Sequence, residues 1–176
     1  MISPMGRPST ARAERSDAAR GSGEVGWQRS GQSARRQYVL YFAYGSNMHR
    51  AGMAVRCPKA KPMGVARLPD YRFRINRRGV ATVVPEPGAT VHGILWSVND
   101  DCLRALDRFE GVARGFYRRL TRRVTTSDHD SKNAFLYLAA DAERGRAPWA
   151  YLDLLLKVAR EAEFPPEYVA ELEQWG

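Results

Sequence analysis

The segment YVLYFAYGSNM, residues 38–48, joins a run of bulky side chains to three small residues that favour turns. The run Tyr38–Tyr44 shows no polar alternation, which is typical of a strand buried on both faces. Gly45, Ser46 and Asn47 then end it. Glycine can adopt positive φ, and converging backbone N–H groups beside a helix start bind anions. We therefore predict a buried strand that ends in a backbone anion site; the alternative is a plain turn capped by Ser46 or Asn47.

The turn carries neither of two glycine signatures that are common in enzymes. It lacks G-x-x-x-x-G-K-[ST], which excludes a nucleotide-binding P-loop. It also lacks the second glycine of G-x-S-x-G, so a nucleophile elbow at Ser46 is weakly supported. The three histidines show no H-x-x-x-H spacing and the two cysteines form no C-x-x-C, so we expect no metal site and no cofactor. So few cysteines favour a reducing, cytoplasmic compartment.

The chain is strongly basic, with 28 Lys and Arg residues against 19 Asp and Glu and a formal net charge of +9. Such a charge can indicate nucleic-acid binding. However, 24 of the 28 basic residues are Arg and they are spread along the sequence, a bias that codon usage often produces. We therefore do not expect nucleic acid as a partner. No apolar run approaches the ~18 residues of a membrane span, so we expect no membrane partner either.

Residues 1–37 differ in composition from the rest of the chain. They are rich in Arg, Ser, Gly and Ala and hold almost no large apolar side chain, so they cannot bury enough surface to offset the entropy lost on ordering. They also lack the apolar stretch of a secretory signal. We predict a disordered extension over 1–37 and one folded domain over 38–176, which is long enough for a substantial core.

Beyond the first strand, helix and strand patterns alternate, which predicts a mixed α/β (α+β) domain. A helix over 97–111 is capped by Asn99 or Asp100 and ends at Gly111. A turn over 85–88 separates two short strands. The predicted apolar face of the helix is Leu103, Leu106 and Phe109. The further predicted strands are 70–76, 81–84, 90–98, 115–126 and 132–140, and the further helices are 49–58, 148–164 and 165–175.

Glu110 is the carboxylate that stands out. Between residues 38 and 142 the only glutamates are Glu86, which lies between prolines, and Glu110, which closes the predicted helix. A negative charge at a helix C-terminus is disfavoured by roughly 0.3–1 kcal/mol. Destabilising the charged form raises the pKa, as a general base that works near neutrality requires. We therefore predict that Glu110 is a general base; the alternative is a frayed, solvent-facing side chain.

Two motifs, YFAYGSNM (41–48) and LDRFEGV (106–112), resemble the paired signatures of the γ-glutamylcyclotransferase family. Further similar segments follow in order, namely GVARLPDYRF, VHGILWSV, EGVARGFY and FPPEYVAEL, so the likeness covers 38 to about 175. The resemblance implies a compact, barrel-like mixed sheet with surrounding helices. It also implies an enzyme that cyclises γ-glutamyl amino acids or amines to 5-oxoproline, without a cofactor. One departure is Arg108-Phe109, where relatives often carry polar or acidic residues.

The resemblance also implies which residues form the site. Glu110 is the implied proton acceptor, and the stretch that ends at Asn47 holds the γ-glutamyl group. Three tyrosines belong beside the pocket, although each alone is more typical of a core residue with one hydrogen bond. The implied substrate-binding residues are Tyr41, Phe42, Ala43, Tyr44, Gly45, Ser46, Asn47, Tyr117, Tyr137 and Tyr151.

Two other functions stay open from the sequence. One is an enzyme on the same scaffold that removes a γ-glutamyl protecting group during the biosynthesis of another metabolite. The other is a basic binding module that has kept the fold without catalysis, which the placement of Glu110 argues against. The expected partner is a small γ-glutamyl compound whose leaving group the sequence does not define. A homodimer is left open.

Overall fold

Five strands close into a barrel in the computed structural model, which describes residues 38–176. The strands are β1 (Val39–Ala43), β2 (Lys61–Ile75), β3 (Ala81–Val98), β4 (Tyr117–Thr126) and β5 (Ser131–Ala139). The helices are α1 (Arg50–Arg56), α2 (Asp100–Glu110), α3 (Trp149–Glu161) and α4 (Pro166–Glu173), and 3₁₀ turns cover Ser46–Met48 and Val112–Arg114. The extension predicted over 1–37 lies outside the described residues.

The order of strands around the barrel is β1-β3-β2-β4-β5. β1 and β5 meet as a parallel pair, whereas the other neighbours run antiparallel. The prediction of a mixed α+β fold with a barrel-like sheet is therefore confirmed. The strands predicted over 115–126 and 132–140 correspond to β4 and β5, and the helices predicted at 49–58, 148–164 and 165–175 correspond to α1, α3 and α4.

β1 is most buried at the end that leads into the turn. Tyr41, Phe42 and Ala43 are buried, whereas the first two residues of the strand are partly exposed. β3 and β5 pair with β1 along its two edges. Successive side chains point to opposite faces, so the burial of these three residues covers both faces and leaves no place for polar alternation. Gly93 on β3 makes room for this packing, because a Cβ there would lie 2.7 Å from Cζ of Phe42. The predicted strand is confirmed over 39–43, but its predicted burial holds only from Tyr41 onward, because Tyr38 is 45% exposed. The buried end fixes where the chain enters the turn.

The turn predicted over 85–88 does not separate two strands. β3 runs through it as one element, and the ladder with β2 pairs Pro69 with Thr90 and then Tyr71 with Pro85. The residues between are accommodated as a bulge, in which the Asp70 carboxylate accepts a hydrogen bond from the Gly88 N–H at 3.0 Å. Proline and glycine indicated the irregularity correctly, but a bulge lets a ladder continue past residues that a hairpin turn would use to reverse it.

α2 begins and ends where the sequence indicates. The side chain of Asn99 accepts a hydrogen bond from the Cys102 N–H at 3.0 Å, and Gly111 adopts the left-handed conformation with φ 68°. Leu106 is fully buried on the inner face. The prediction that Phe109 belongs to this face is wrong, because its side chain is 46% exposed and the Arg56 guanidinium lies 3.8 Å from its ring centroid. α2 thus delivers the next residue, Glu110, from a well-capped end.

Candidate active site

A cavity of about 390 Å³ opens beside the turn that follows β1. Its wall also includes the last residue of α2, the first residues of β3 and β4, and the first turn of α3. The barrel therefore brings together residues that lie far apart in the sequence. The predicted site residues that line the cavity are Tyr41, Tyr44, Gly45, Ser46, Asn47, Glu110, Tyr117, Tyr137 and Tyr151.

Phe42 and Ala43 do not line this cavity, although the sequence placed them among the substrate-binding residues. Both belong to β1, and their side chains are buried in the core. The Phe42 side chain packs against Gly93 on the neighbouring strand. The resemblance assigned the whole stretch 41–47 to substrate binding, whereas the side chains of Phe42 and Ala43 build the scaffold.

Gly45 is constrained by its neighbours. The expectation of positive φ is wrong, because φ is −119° and ψ is −146°. A Cβ at this position would lie 3.1 Å from the Tyr151 hydroxyl and 3.2 Å from Cβ of Ala81. A side chain here would therefore press against α3 and β3, and the small residue keeps the edge of the cavity open.

The turn itself is a short 3₁₀ helix. The N–H of Met48 donates to the Gly45 carbonyl at 2.9 Å, and α1 starts only after His49, whose Nδ1 accepts from the Gly52 N–H at 3.3 Å. Neither Ser46 nor Asn47 caps a helix with its side chain, so the alternative of a plain turn capped by one of them does not hold. The helix that starts at the turn is the 3₁₀ helix, and the α-helix begins at Arg50. The side chain of Asn47 is consequently directed to other partners.

Asn47 joins the turn to Glu110. Its Nδ2 donates to Oε1 of Glu110 at 2.7 Å and lies 3.0 Å from the Tyr41 hydroxyl. Its Oδ1 accepts from the Arg56 guanidinium at 3.1 Å. Since Asn47 itself is only 2% exposed, its amide is held in place and fixes the carboxylate at the cavity wall.

The acidity of Glu110 is shifted toward neutrality. Burial raises the pKa of its carboxyl to about 7, while the hydrogen bond from Asn47 and the positive charge of Arg56 oppose the rise. The sequence predicted a raised pKa and attributed it to the C-terminal end of α2. The main cause is instead the loss of hydration on burial. The expected alternative of a frayed side chain does not describe this hydrogen-bonded residue. A carboxyl of this kind can both take and release a proton near pH 7.

The tyrosines around the cavity are hydrogen-bonded and neutral. The hydroxyl of Tyr117 donates to the Ala81 carbonyl at 2.8 Å, and the Ala81 N–H donates to the Tyr151 hydroxyl at 3.2 Å. The Tyr137 hydroxyl donates to Asp107 at 2.8 Å. Burial raises the pKa of Tyr151 to about 12 and raises the pKa values of Tyr117 and Tyr137 further. These groups can orient a ligand, but they cannot serve as bases near neutrality.

Sequence reasoning missed the cations of this site. Arg56, Arg78 and Arg114 line the cavity together with the rings of Phe109 and Phe116. Each guanidinium lies over one of these two rings, at 3.8 to 4.7 Å from its centroid. The arginines were interpreted as a compositional bias of the whole chain, and no spacing signal distinguishes these three from the others.

Two kinds of feature are absent from the described part of the chain. Residues 38–176 contain no group of three or more His, Cys, Asp or Glu side chains positioned to hold a metal ion. No helix in the same range is long and apolar enough to cross a membrane.

A concave site with a hydrogen-bonded carboxyl of raised pKa and several convergent polar groups is typical of an enzyme that acts on a small molecule. Residues 41–153 match the family described as "Gamma-glutamyl cyclotransferase, AIG2-like". The chain is 32% identical to "Gamma-glutamylcyclotransferase" from Homo sapiens and 32% identical to the protein of the same name from Mus musculus, with 76% of each chain covered. A solved structure named "Gamma-glutamyl cyclotransferase" superposes with a TM-score of 0.74 at 30% identity, covering 80% of this chain and 89% of its own.

The chain therefore belongs to the γ-glutamyl cyclotransferase, AIG2-like family, and it is an enzyme of that type. The family match spans both motifs that carried the resemblance, since 41–153 includes the turn after β1 and the end of α2.

Proposed function

We propose that this protein cyclises γ-glutamyl amino acids or γ-glutamyl amines to 5-oxoproline and releases the free amino acid or amine. The observation that carries this proposal is the carboxyl of Glu110, held at the cavity wall by Asn47 at 2.7 Å with a pKa of about 7. The names of the matched relatives agree with the proposal.

The proposed reaction is intramolecular. The α-amino nitrogen of the substrate bonds to its own γ-carbonyl carbon, and the amide bond from that carbon to the leaving nitrogen breaks. The α-ammonium loses one proton before attack, and its nitrogen loses a second as the ring forms. The leaving nitrogen takes up two protons and departs as an ammonium ion, so the reaction consumes no water. Holding the chain in a curled conformation supplies proximity, which is worth roughly 7–11 kcal/mol for well-oriented groups.

Glu110 is the proposed proton acceptor. Only the free amine attacks, and a carboxylate whose pKa lies near neutrality can remove the ammonium proton and later return one to the leaving nitrogen. The tyrosines of the cavity are unsuited to this step because their pKa values are raised far above neutrality. A general base of this kind typically contributes 10²–10⁴-fold, or roughly 3–5 kcal/mol.

The turn after β1 is the proposed holder of the γ-glutamyl group. Gly45, Ser46 and Asn47 line the cavity next to the base, and a turn of this kind offers backbone N–H donors. Such donors can bind the α-carboxylate or the oxyanion that forms at the γ-carbonyl, and the loss of one oxyanion donor typically costs roughly 3–4 kcal/mol. The buried end of β1 keeps this turn rigid.

A substrate panel tests the proposal. The purified protein is incubated with γ-glutamyl amino acids and γ-glutamyl amines, and 5-oxoproline, free glutamate and the released amine are quantified. We expect 5-oxoproline and amine in equal amounts. Glutamate in place of 5-oxoproline would show hydrolysis and would contradict cyclisation. An absence of all three products across the panel would favour a binding module instead.

A further inference from the structure

Tyr137 connects the cavity to a second carboxylate on α2. Its side chain lines the cavity, and its hydroxyl donates a hydrogen bond to Oδ1 of Asp107 at 2.8 Å. Asp107 does not itself line the cavity, and it precedes Glu110 by one turn of the same helix. α2 therefore carries both the proposed base and the carboxylate that receives the hydroxyl proton of Tyr137.

The barrel holds Asp107 and Tyr137 in register. Arg119 on β4 pairs with Tyr137 on β5, and its Nε lies 3.4 Å from the same Oδ1 of Asp107. The Asp107 side chain is 26% exposed, so it is partly enclosed between the helix and the two strands. An ionised carboxylate can only accept hydrogen bonds, so the direction of the bond between Tyr137 and Asp107 is fixed.

This direction determines what Tyr137 can offer to the cavity. A tyrosine hydroxyl has one proton to donate and two lone pairs that accept. Since the proton of Tyr137 is directed to Asp107, its oxygen can act toward a ligand only as an acceptor. Burial and the bond to Asp107 raise the pKa of Tyr137, and the negative charge of Glu110 adds to the rise. The hydroxyl is therefore neutral at working pH, and it senses the charge of the proposed base.

Other tyrosines of the cavity are oriented by the backbone instead. The Tyr117 hydroxyl donates to the Ala81 carbonyl at 2.8 Å, and the Tyr44 hydroxyl donates to the carbonyl of Tyr137. These two acceptors belong to the strands themselves. Among these three hydroxyl groups, only that of Tyr137 depends on a side chain, so a single substitution at Asp107 can release its proton.

An acceptor close to the base suits the α-ammonium of the proposed substrate. This group has three N–H bonds, of which one points to Glu110 for proton removal and another can be held by the lone pair of Tyr137. Two acceptors limit the rotation of the nitrogen and keep it oriented toward the γ-carbonyl, as an efficient intramolecular reaction requires. A hydroxyl with a free proton could instead turn that proton toward the ammonium, where two donors repel each other.

We propose that Asp107 is a positioning residue for the cyclisation: it holds the proton of the Tyr137 hydroxyl, so that the oxygen accepts an N–H of the α-ammonium beside Glu110. Asp107 touches no reacting atom and takes part in no proton transfer. This inference rests on the proposed function, and it adds to that function a residue outside the cavity wall.

A double-mutant cycle tests the inference, with the γ-glutamyl compound that the unaltered protein cyclises fastest as the substrate. Asp107→Leu removes the acceptor, and we expect kcat/KM to fall at least about ten-fold, as the loss of a hydrogen bond to a charged group would give. Tyr137→Phe removes the hydroxyl and keeps the ring, and it should lower kcat/KM by a similar factor. Adding Asp107→Leu to Tyr137→Phe should lower it less than about two-fold further, because the effect of Asp107 requires the hydroxyl.

Two further variants separate this role from packing. Asp107→Asn keeps the shape and a neutral acceptor oxygen, so its loss should be smaller and should also disappear in Tyr137→Phe. Asp101→Leu is the matched control, because Asp101 lies at the exposed start of the same helix, where it pairs with Lys59 and Arg104. It should keep kcat/KM. Thermal melting of each variant is measured on the same preparation.

Equal losses from Asp107→Leu with and without the Tyr137 hydroxyl would overturn the inference, since a packing role or a direct effect of the Asp107 charge on Glu110 would persist in Tyr137→Phe. An unchanged kcat/KM in Asp107→Leu or in Tyr137→Phe would overturn it too. So would a complete loss of turnover in Tyr137→Phe, which would give the hydroxyl a chemical role. If the cycle fails while 5-oxoproline still forms, the proposed function stands; if no γ-glutamyl compound yields 5-oxoproline, both fail.

Discussion

Asn47 connects the turn after β1 to the carboxyl at the end of α2. Its side chain is buried and contacts Tyr41, Arg56 and Glu110 at 2.7 to 3.1 Å. A hydrogen bond donated to a carboxylate stabilises the charged form and lowers its pKa. Asn47 therefore holds Glu110 in place and also limits how far burial can raise its pKa.

Replacing Asn47 tests this role through the pH dependence of turnover. In Asn47→Ala the carboxylate loses its donor while its burial remains, so the pKa of Glu110 should rise above its present value of about 7. Because the ionised form is the active base, the acid limb of the kcat profile should move to higher pH. Initial rates at saturating substrate between about pH 5 and 9 measure the shift.

The control for this experiment is Asn133→Ala, which removes an exposed asparagine on β5 that does not line the cavity. Its acid limb should coincide with that of the unaltered protein. An acid limb that stays in place in Asn47→Ala, or moves to lower pH, would contradict the assigned hydrogen bond.

The turn over 45–48 is the element that connects the scaffold to the chemistry. Its backbone packs against α3 and β3. A Cβ on Gly45 would lie 3.1 Å from the Tyr151 hydroxyl on α3 and 3.2 Å from Cβ of Ala81 on β3. Contacts tighter than about 3.4 Å force a neighbour to move, and both neighbours line the cavity. The element therefore tolerates little added volume.

Gly45→Val tests the element directly. The branched side chain should displace the Tyr151 hydroxyl and narrow the cavity, so we expect KM to rise at least ten-fold. The barrel core does not include this position, so the variant should still fold. Steady-state kinetics and thermal melting are measured on the same preparation. A folded variant with unchanged KM would show that the turn is structural only.

The sequence predicted elements well where local signals and tertiary packing agree. The unbroken apolar run gave β1, and the asparagine cap and following glycine gave both ends of α2. The predictions from sequence were wrong where contacts with other elements determine the local structure. A proline-rich segment can be a turn or a bulge, and only the partner strand determined that 85–88 is a bulge. Phe109 matched the helical periodicity, yet Arg56 covers it at the surface.

At the scale of the whole molecule, the closed barrel sets the two ends of the site beside each other. The turn after β1 and the end of α2 meet at the Asn47–Glu110 hydrogen bond, whose two residues lie 63 positions apart in the sequence. The periodicity of apolar residues does not predict contacts between residues so far apart in the sequence. The family motifs therefore indicated Glu110, Asn47 and the tyrosines, while the arginines on Phe116 could be found only from the structure.

The folded unit should not depend on residues 1–37. All five strands of the barrel and the apolar core lie within 38–176, so a protein that starts at Gln37 should keep its stability and activity. We expect its melting temperature to stay within about 2 °C of the full chain, less than the shift that a change of 1 kcal/mol causes in a domain of similar size. A clear loss of melting temperature or turnover would show that the extension takes part in the fold.

The turnover of Glu110→Gln tests the central claim most directly. Glutamine keeps the size of the side chain and an oxygen that can accept the Asn47 hydrogen bond, but it cannot accept the ammonium proton. We expect kcat to fall at least a hundred-fold with KM changed far less. Glu86→Gln is the matched control, because the Glu86 carboxylate lies 2.7 Å from Nε of Arg72 and does not line the cavity. This variant should keep the turnover of the unaltered protein. If Glu110→Gln retains more than about a tenth of the turnover on every γ-glutamyl compound that the unaltered protein cyclises, Glu110 is not the base.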